Sequence, residues 1–422
     1  MRMEQKLFTE ILPLYKSRKN NPYAIRLRIR LSDNIDPVIL QNAINTTMKR
    51  YPYFCVRLSC DEQKFTFWDN TQPVVLSNSP YGIELNTAES NHHMISFSWY
   101  DNWIILDIFH GLTDGTGAYE IIRTLLYYYC SSRYNVKLSS EGIRTLEDNI
   151  SVEEWNCPVM NAANLPTPKR YEMLEPLNPI IEANLQQEQY STTYSIEIPE
   201  ADFMRFNRQN GGSPATMVSL LLCHAIAKLF PNATKPIRII LAVNQRKALH
   251  TPLAHQSLVG GALIEYEERL RHLPISKQVK VFREMVSRQT TEESVFAGIS
   301  SIVALTKNLL SKSTNEERVA IATLADEMAT RIGSACVSYV GKGNLGEAEK
   351  YVREFHLWSY NSLPITIQMS AVNGKFTLDF IQKFSSSVYV NVFLEILAEH
   401  GIPYDFHSGG RQELPNIQLP WN

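Results

Sequence analysis

The run Phe109-His110-Gly111-Leu112-Thr113-Asp114-Gly115-Thr116-Gly117 holds the residue types that proton transfer needs. His110 closes an apolar stretch and stands four residues before Asp114. An imidazole titrates nearest neutrality, so it can take a proton from a hydroxyl or an amine and later return it. Three glycines between 111 and 117 open backbone angles closed to other residues and let a second chain or a ligand come close. The same spacing also fits a surface turn in which His110 is only a cap, so it does not decide the chemistry alone. Other motifs lack their context. Gly341-Lys-Gly343-Asn-Leu-Gly346 fits G-x-G-x-x-G, yet Asn361-Ser-Leu-Pro-Ile-Thr-Ile, where a ribose-binding acid would fall, contains none, so a solvent loop is expected. Gly343 also occupies the position where a P-loop needs Ser or Thr. His92-His93 and His250/His255 lack Cys or acidic partners at metal spacing, so surface or packing roles and no metal are expected.

The elements around this run alternate. Residues 24–31 (AIRLRIRL) change polarity with period two, which predicts a strand with one polar face. Asp36-Pro37 starts a helix as N-cap and first residue, Leu40, Ala43, Ile44, Thr47 and Met48 continue it, and Tyr51-Pro52 ends it. Short strands are expected at 54–58 and 65–68. A hairpin follows, 94–100 turning at Asp101-Asn102 into 103–109. After the glycine-rich turn, a helix is expected from about Ala118 to Tyr129. From Leu146 to Gln189 periodicity fails, and Pro158, Pro166, Pro168, Pro176 and Pro179 mark a crossover. The second half reopens with a strand at 193–198, helices at 200–210 and 217–230, a buried strand at 237–243, a mostly helical stretch at 274–330, strands at 335–340, 365–370 and 375–380, and a last helix at 388–400. Strands and helices alternate in both halves, so the class is α/β with mixed sheets.

Composition narrows the function classes. The chain has 422 residues, 41 Lys+Arg against 43 Asp+Glu, a formal net charge of −2 and 44% hydrophobic residues. That excludes a disordered chain and gives no basic excess for nucleic acid. The length is enough for two domains. The most apolar stretch, Met217–Phe230, contains His224 and Lys228 and is shorter than the roughly 20 residues of a membrane span. The N-terminal residues lack a secretory apolar core, so a cytoplasmic protein is expected. The six cysteines are scattered and read as free thiols. The N-x-[ST] triplets at Asn45, Asn149 and Asn232 read as chance.

His110-Gly-Leu-Thr-Asp114-Gly115 resembles the H-x-x-x-D-G motif of the chloramphenicol acetyltransferase-like, CoA-dependent acyltransferase superfamily, which includes condensation domains, plant BAHD acyltransferases and alcohol acetyltransferases. Further segments resemble it in order. Asp36-Pro37 through Arg50-Tyr-Pro-Tyr-Phe-Cys-Val-Arg57 is similar to its first helix and following R-x-P strand. Ser213-Pro-Ala-Thr216 resembles the helix opening the second lobe, and Asn244-Gln-Arg246 its N-x-R strand end, with Gly260-Gly261 beyond. Ser338-Tyr-Val-Gly341 departs from the D-F-G-W-G of condensation domains and plant members. It is closer to the S-N-x-G of alcohol acetyltransferase-like ones, which argues against a peptide-synthetase partnership.

The resemblance implies a two-lobed fold, each lobe a mixed sheet flanked by helices, with a tunnel between them. The expected segments are 1–165 for the first lobe, 166–190 for the crossover and 191–422 for the second lobe. It further implies acyl transfer from acyl-CoA, or an acyl carrier thioester, to a small alcohol or amine. His110 would be the general base, Asp114 a structural acid paired with Arg246, Gly115 the residue allowing the loop's path, and Ser338 the oxyanion donor. CoA would be a co-substrate and no cofactor would be resident. A monomer is expected. The alternative is a catalytically inactive, condensation-like binding or regulatory protein.

Overall fold

The computed structural model describes residues 11–19, 21–60, 65–156, 174–359, 362–412 and 414–421. Pro158, Pro166 and Pro168, and with them the expected 165/166 boundary, lie outside these residues.

The first half runs α1 (Ile11–Lys16), β1 (Ala24–Leu31), α2 (Pro37–Arg50), β2 (Val56–Cys60), β3 (Phe65–Asp69), β4 (Leu76–Asn78), β5 (Ile95–Tyr100), β6 (Trp103–Phe109), α3 (Gly115–Arg133) and α4 (Val152–Trp155). Local chemistry sets these bounds. The Asp36 carboxylate accepts from the Val38 and Ile39 amides at 3.0 Å each, which caps α2. The strand expected from Phe54 begins only at Val56, because Pro52–Phe54 form a 3₁₀ turn closed by Cys55 N–H to Pro52 O at 2.9 Å. Helix α3 begins at Gly115 rather than near Ala118, because Asp114 caps it through Thr116 N–H and Gly117 N–H.

The second half runs α5 (Pro179–Glu182), β7 (Ser191–Pro199), α6 (Glu200–Asn210), α7 (Pro214–Leu229), β8 (Ile237–Asn244), β9 (Val259–Tyr266), α8 (Ile275–Gln289), α9 (Glu292–Leu310), α10 (Asn315–Ile332), β10 (Ala335–Lys342), β11 (Val352–Ser359), β12 (Ile365–Val372), β13 (Lys375–Gln382), α11 (Val388–Glu399), β14 (Asp405–His407) and β15 (Arg411–Gln412). Within the stretch expected to lack structure, α4 and α5 are four residues each, too short to leave a period. Strands β9 and β11 were not expected. Gly260-Gly261 dilutes the apolar pattern of β9, and β11 interleaves Glu354, His356 and Trp358 with Phe355 and Leu357.

Two main sheets result. One has the order β11-β1-β6-β5-β4, and the other runs β14-β7-β13-β12-β10-β8-β9 with β15 also on β7. The first sheet thus takes an edge strand from the second half: β11 lies antiparallel to β1, with Arg28 opposite His356 and Arg30 opposite Glu354. Ile25, Leu27 and Ile29 of β1, with Ile104, Leu106 and Ile108 of β6, form a buried layer clustered with Ile121, Ile122, Leu125 and Leu126 of α3. Truncating any one of these to alanine costs roughly 2–5 kcal/mol. The polar face foreseen for β1 is partly buried. Arg26 faces Asp107 of β6 in register and forks onto it at 2.7 and 2.9 Å. The second core gathers α7 and α11 against the larger sheet. No single helix among the described residues is long and apolar enough to cross a membrane, and ten residues of the apolar helix α7 are buried.

Candidate active site

Burial of β6 delivers His110 to a defined place. The His110 N–H donates to Tyr23 O at 2.9 Å, which extends the β1–β6 pairing by one step, and the Tyr23 ring lies 5.3 Å from the imidazole. The turn then folds back, with Leu112 N–H donating to Phe109 O at 3.0 Å. His110 Nδ1 stands 3.0 Å from Thr113 O. A carbonyl only accepts, so Nδ1 carries the proton and Nε2 keeps the lone pair. Burial lowers the His110 pKa, against the opposing pull of its own and the Thr113 carbonyl and of the Asp114 charge. The ring is therefore neutral at neutral pH, with Nε2 able to accept a proton.

Asp114 makes no hydrogen bond to that ring. It is fully buried and accepts from five donors. Thr116 N–H at 2.9 Å and Gly117 N–H at 3.4 Å come from its own helix. Arg246 supplies two more, Nη1 to Oδ2 at 2.9 Å and Nη2 to Oδ1 at 3.0 Å, and Leu258 N–H completes the set at 2.9 Å. Arg246 is equally engaged: Nε donates to Ala254 O at 2.6 Å, Nη2 to Gln256 O at 2.7 Å, and Nη1 to Asn244 Oδ1 at 3.2 Å. A bidentate guanidinium–carboxylate pair has a fixed geometry, so it clamps the start of α3 to the loop between β8 and β9.

The glycines act by close approach. None of Gly111, Gly115 and Gly117 has a positive φ, which corrects the expectation of unusual backbone angles. A Cβ on Gly115 would lie 2.4 Å from Val340 Cγ2 of β10. One on Gly117 would lie 2.1 Å from Thr113 Oγ1 and 2.4 Å from His255 O. Ser338 is half-buried on β10, paired with Gln368 of β12, and its hydroxyl has no hydrogen bond among the described residues. Two residues further along the same strand, Val340 packs on Gly115, so β10 reaches the His110 turn.

Several contributors escaped the sequence. Thr113 supplies the carbonyl that fixes the imidazole, and its hydroxyl donates to His255 O at 2.6 Å. His255, read as a packing residue, is buried. Its Nδ1 meets the Tyr53 hydroxyl at 2.5 Å, and burial pushes its pKa down to about 3. Beneath it Glu154 accepts from Arg50 at 2.8 and 2.9 Å, from Arg144 at 2.9 Å and from Tyr53 at 2.9 Å. Its backbone carbonyl accepts from His255 N–H at 2.9 Å. Arg50, the first residue of the R-x-P segment, thus supports the loop that holds Asp114. Of the other histidines, His92 is exposed, His93 is buried against Gln72 O at 2.8 Å, and His250 is exposed beside Glu292. No group of metal-ligating side chains forms among the described residues. Gly341 to Gly346 is a bulge and turn, Gly343 N–H bonding Ala371 O at 2.9 Å.

No protein-family model and no curated protein matches the sequence. Solved structures do match the fold. The epimerization domain from the third module of tyrocidine synthetase B is 9% identical, with 95% of this chain and 96% of that one covered and a TM-score of 0.61. The first condensation domain of the CDA synthetase is 12% identical over 94% of both chains, with a TM-score of 0.59. TRI101 of F. sporotrichioides, solved with coenzyme A and T-2, is 12% identical over 96% of this chain and 99% of that one, with a TM-score of 0.56. Together with the paired mixed sheets, these matches give the chain the two-lobed α/β fold of condensation domains and of TRI101.

Proposed function

We propose that this chain is an acyltransferase that moves an acyl group from a thioester, of coenzyme A or of an acyl carrier, to a small-molecule hydroxyl or amine. The observation that carries the reading is the His110 tautomer, a half-buried neutral ring with Nδ1–H committed to Thr113 O and no hydrogen-bond partner at Nε2 among the described residues. Nε2 takes the acceptor's proton as the acceptor oxygen or nitrogen attacks the thioester carbonyl. The oxyanion of the tetrahedral intermediate accepts a hydrogen bond from the Ser338 hydroxyl. Collapse expels the thiolate, and His110 returns the proton to it. No covalent acyl-enzyme forms, because both substrates are held together and proximity replaces one. Asp114 does not relay charge. Its five hydrogen bonds hold the turn, and Arg246 locks that turn from the second lobe.

The test is product detection. Incubation with a mixed pool of acyl-CoA thioesters and alcohols and amines is expected to give an acylated acceptor by mass spectrometry, and His110→Ala is expected to give about 10²–10⁴-fold less. Wild-type protein that consumes no thioester would remove the reading.

A further inference from the structure

A cavity of about 380 Å³ opens between the segment leading into β1 and elements of the second half. One wall is the segment leading into β1, with Lys16 and Asn21, and two residues past Asn21 the Tyr23 ring contacts the imidazole. Asp326 of α10 lies on the same side, and Lys383, just past β13, closes the other. The volume falls within the range of small-ligand pockets, about 300–1,000 Å³.

The charges in it are unevenly satisfied. Lys16 pairs with Asp326 at 2.7 Å. The Arg18 guanidinium donates to the carbonyls of Tyr15 and Ser17 at 2.5 and 2.8 Å and to the Thr323 hydroxyl at 2.7 Å. Glu327 stands exposed at the rim. Lys383 has three N–H donors, yet its one side-chain hydrogen bond among the described residues goes to the neutral Asn21 Oδ1 at 3.2 Å, and it has no ion pair there. Burial pushes its pKa down to about 8, with Asp326 opposing. A half-satisfied ammonium in a cavity is costly unless an anion completes it.

We propose that this cavity binds the anionic end, phosphate or carboxylate, of a substrate whose reacting end lies at His110, with Lys383 as its charge partner. The proposal rests on the acyl-transfer reading and adds where the anionic end of a substrate is held.

Calorimetric titration of the full chain tests it with three probes: coenzyme A for a phosphate source, pantetheine as the same arm without phosphate, and succinate for a carboxylate source. Coenzyme A binding tighter than pantetheine, or succinate binding, is expected in wild type. Lys383→Gln is expected to weaken that probe roughly tenfold or more, the worth of one charge-assisted contact, and Lys383→Arg to restore most of it. The probe affected names the source. Because Lys383 forms no ion pair with a carboxylate among the described residues, Lys383→Gln is expected to leave the thermal midpoint unchanged or raised, so a loss of binding is not a loss of fold. Equal binding by wild type and Lys383→Gln, or no binding of any probe, overturns the proposal. His110→Ala separates the two readings: it is expected to bind the anion normally while losing transfer. Lys383-dependent binding in a wild-type protein without transferase activity would remove the catalytic reading and leave the anion site.

Discussion

Two histidine–aspartate pairs among the described residues differ in a way that shows what a partner does to an imidazole. In the turn after β6, His110 and Asp114 are four residues apart in sequence, but the ring hydrogen-bonds a carbonyl and the carboxylate is spent on Arg246 and three amides. At the seam between the sheets, His356 of β11 and Asp379 of β13 are 23 residues apart and bond directly, Nδ1 to Oδ1 at 2.9 Å. Ser195 of β7 donates to the same carboxylate at 2.5 Å, and Glu354 lies 3.4 Å from His356 Nε2. Burial disfavours a charge on both rings. At His110 it prevails and the pKa falls. At His356 the charges of Asp379 and Glu354 outweigh it, with Arg28 opposing, and the pKa rises to about 9. The first ring suits proton transfer. The second is a buried cation that ties one lobe's sheet to the other's.

His110→Ala removes the first ring altogether. Loss of a general base is expected to lower acyl transfer by about 10²–10⁴-fold, with the thermal midpoint near wild type, by rate assay beside a melting curve. Arg246→Ala attacks the other half of that turn. It leaves the buried Asp114 carboxylate without its charge partner, and the expected loss of stability is about 3–5 kcal/mol by denaturant titration. Ser338→Ala is expected to lower kcat by about 10²-fold with little change in KM. An unchanged kcat would remove Ser338 from the proposed mechanism.

His356→Gln sharpens the contrast through pH. The folded-state pKa of about 9 lies above the ordinary value of about 6.5. The stabilisation is therefore complete below about pH 6.5 and is lost as pH rises through about 9, on the order of 3 kcal/mol in all. In wild type the thermal midpoint is expected to fall across that window, and in His356→Gln the fall should flatten. The smallest effect is on the acid side of the rate profile. Because His110 is depressed, kcat/KM is expected to hold steady as pH falls to the ordinary imidazole range and to decline only below it.

The two pairs also differ in how far a sequence can reveal them. The turn was legible because its parts fall within nine residues at the end of an apolar strand, and Asp36-Pro37 announced its helix in the same local way. Ser213-Pro214, which opens α7 three residues before the expected Met217, was read only through resemblance. Arg246 came only through resemblance, since 132 residues separate it from Asp114. His356 and Asp379 were not legible. Residues of β11 are buried on both sides of the strand, by the β1 sheet and by the second lobe's β12 and β13, so no simple polar and apolar alternation survives there. The Glu154 cluster under His255 was hidden for a related reason: Arg50, Tyr53, Arg144 and His255 meet from four segments, and local spacing carries no trace of that meeting.

The central claim is that partners set the protonation of the two rings, and NMR titration of the labelled imidazoles measures it directly. His110 is expected to titrate below the ordinary imidazole value, with Nδ1 protonated in its neutral form, and His356 near 9. A His110 that is charged at neutral pH, or that carries its neutral proton on Nε2, would contradict it.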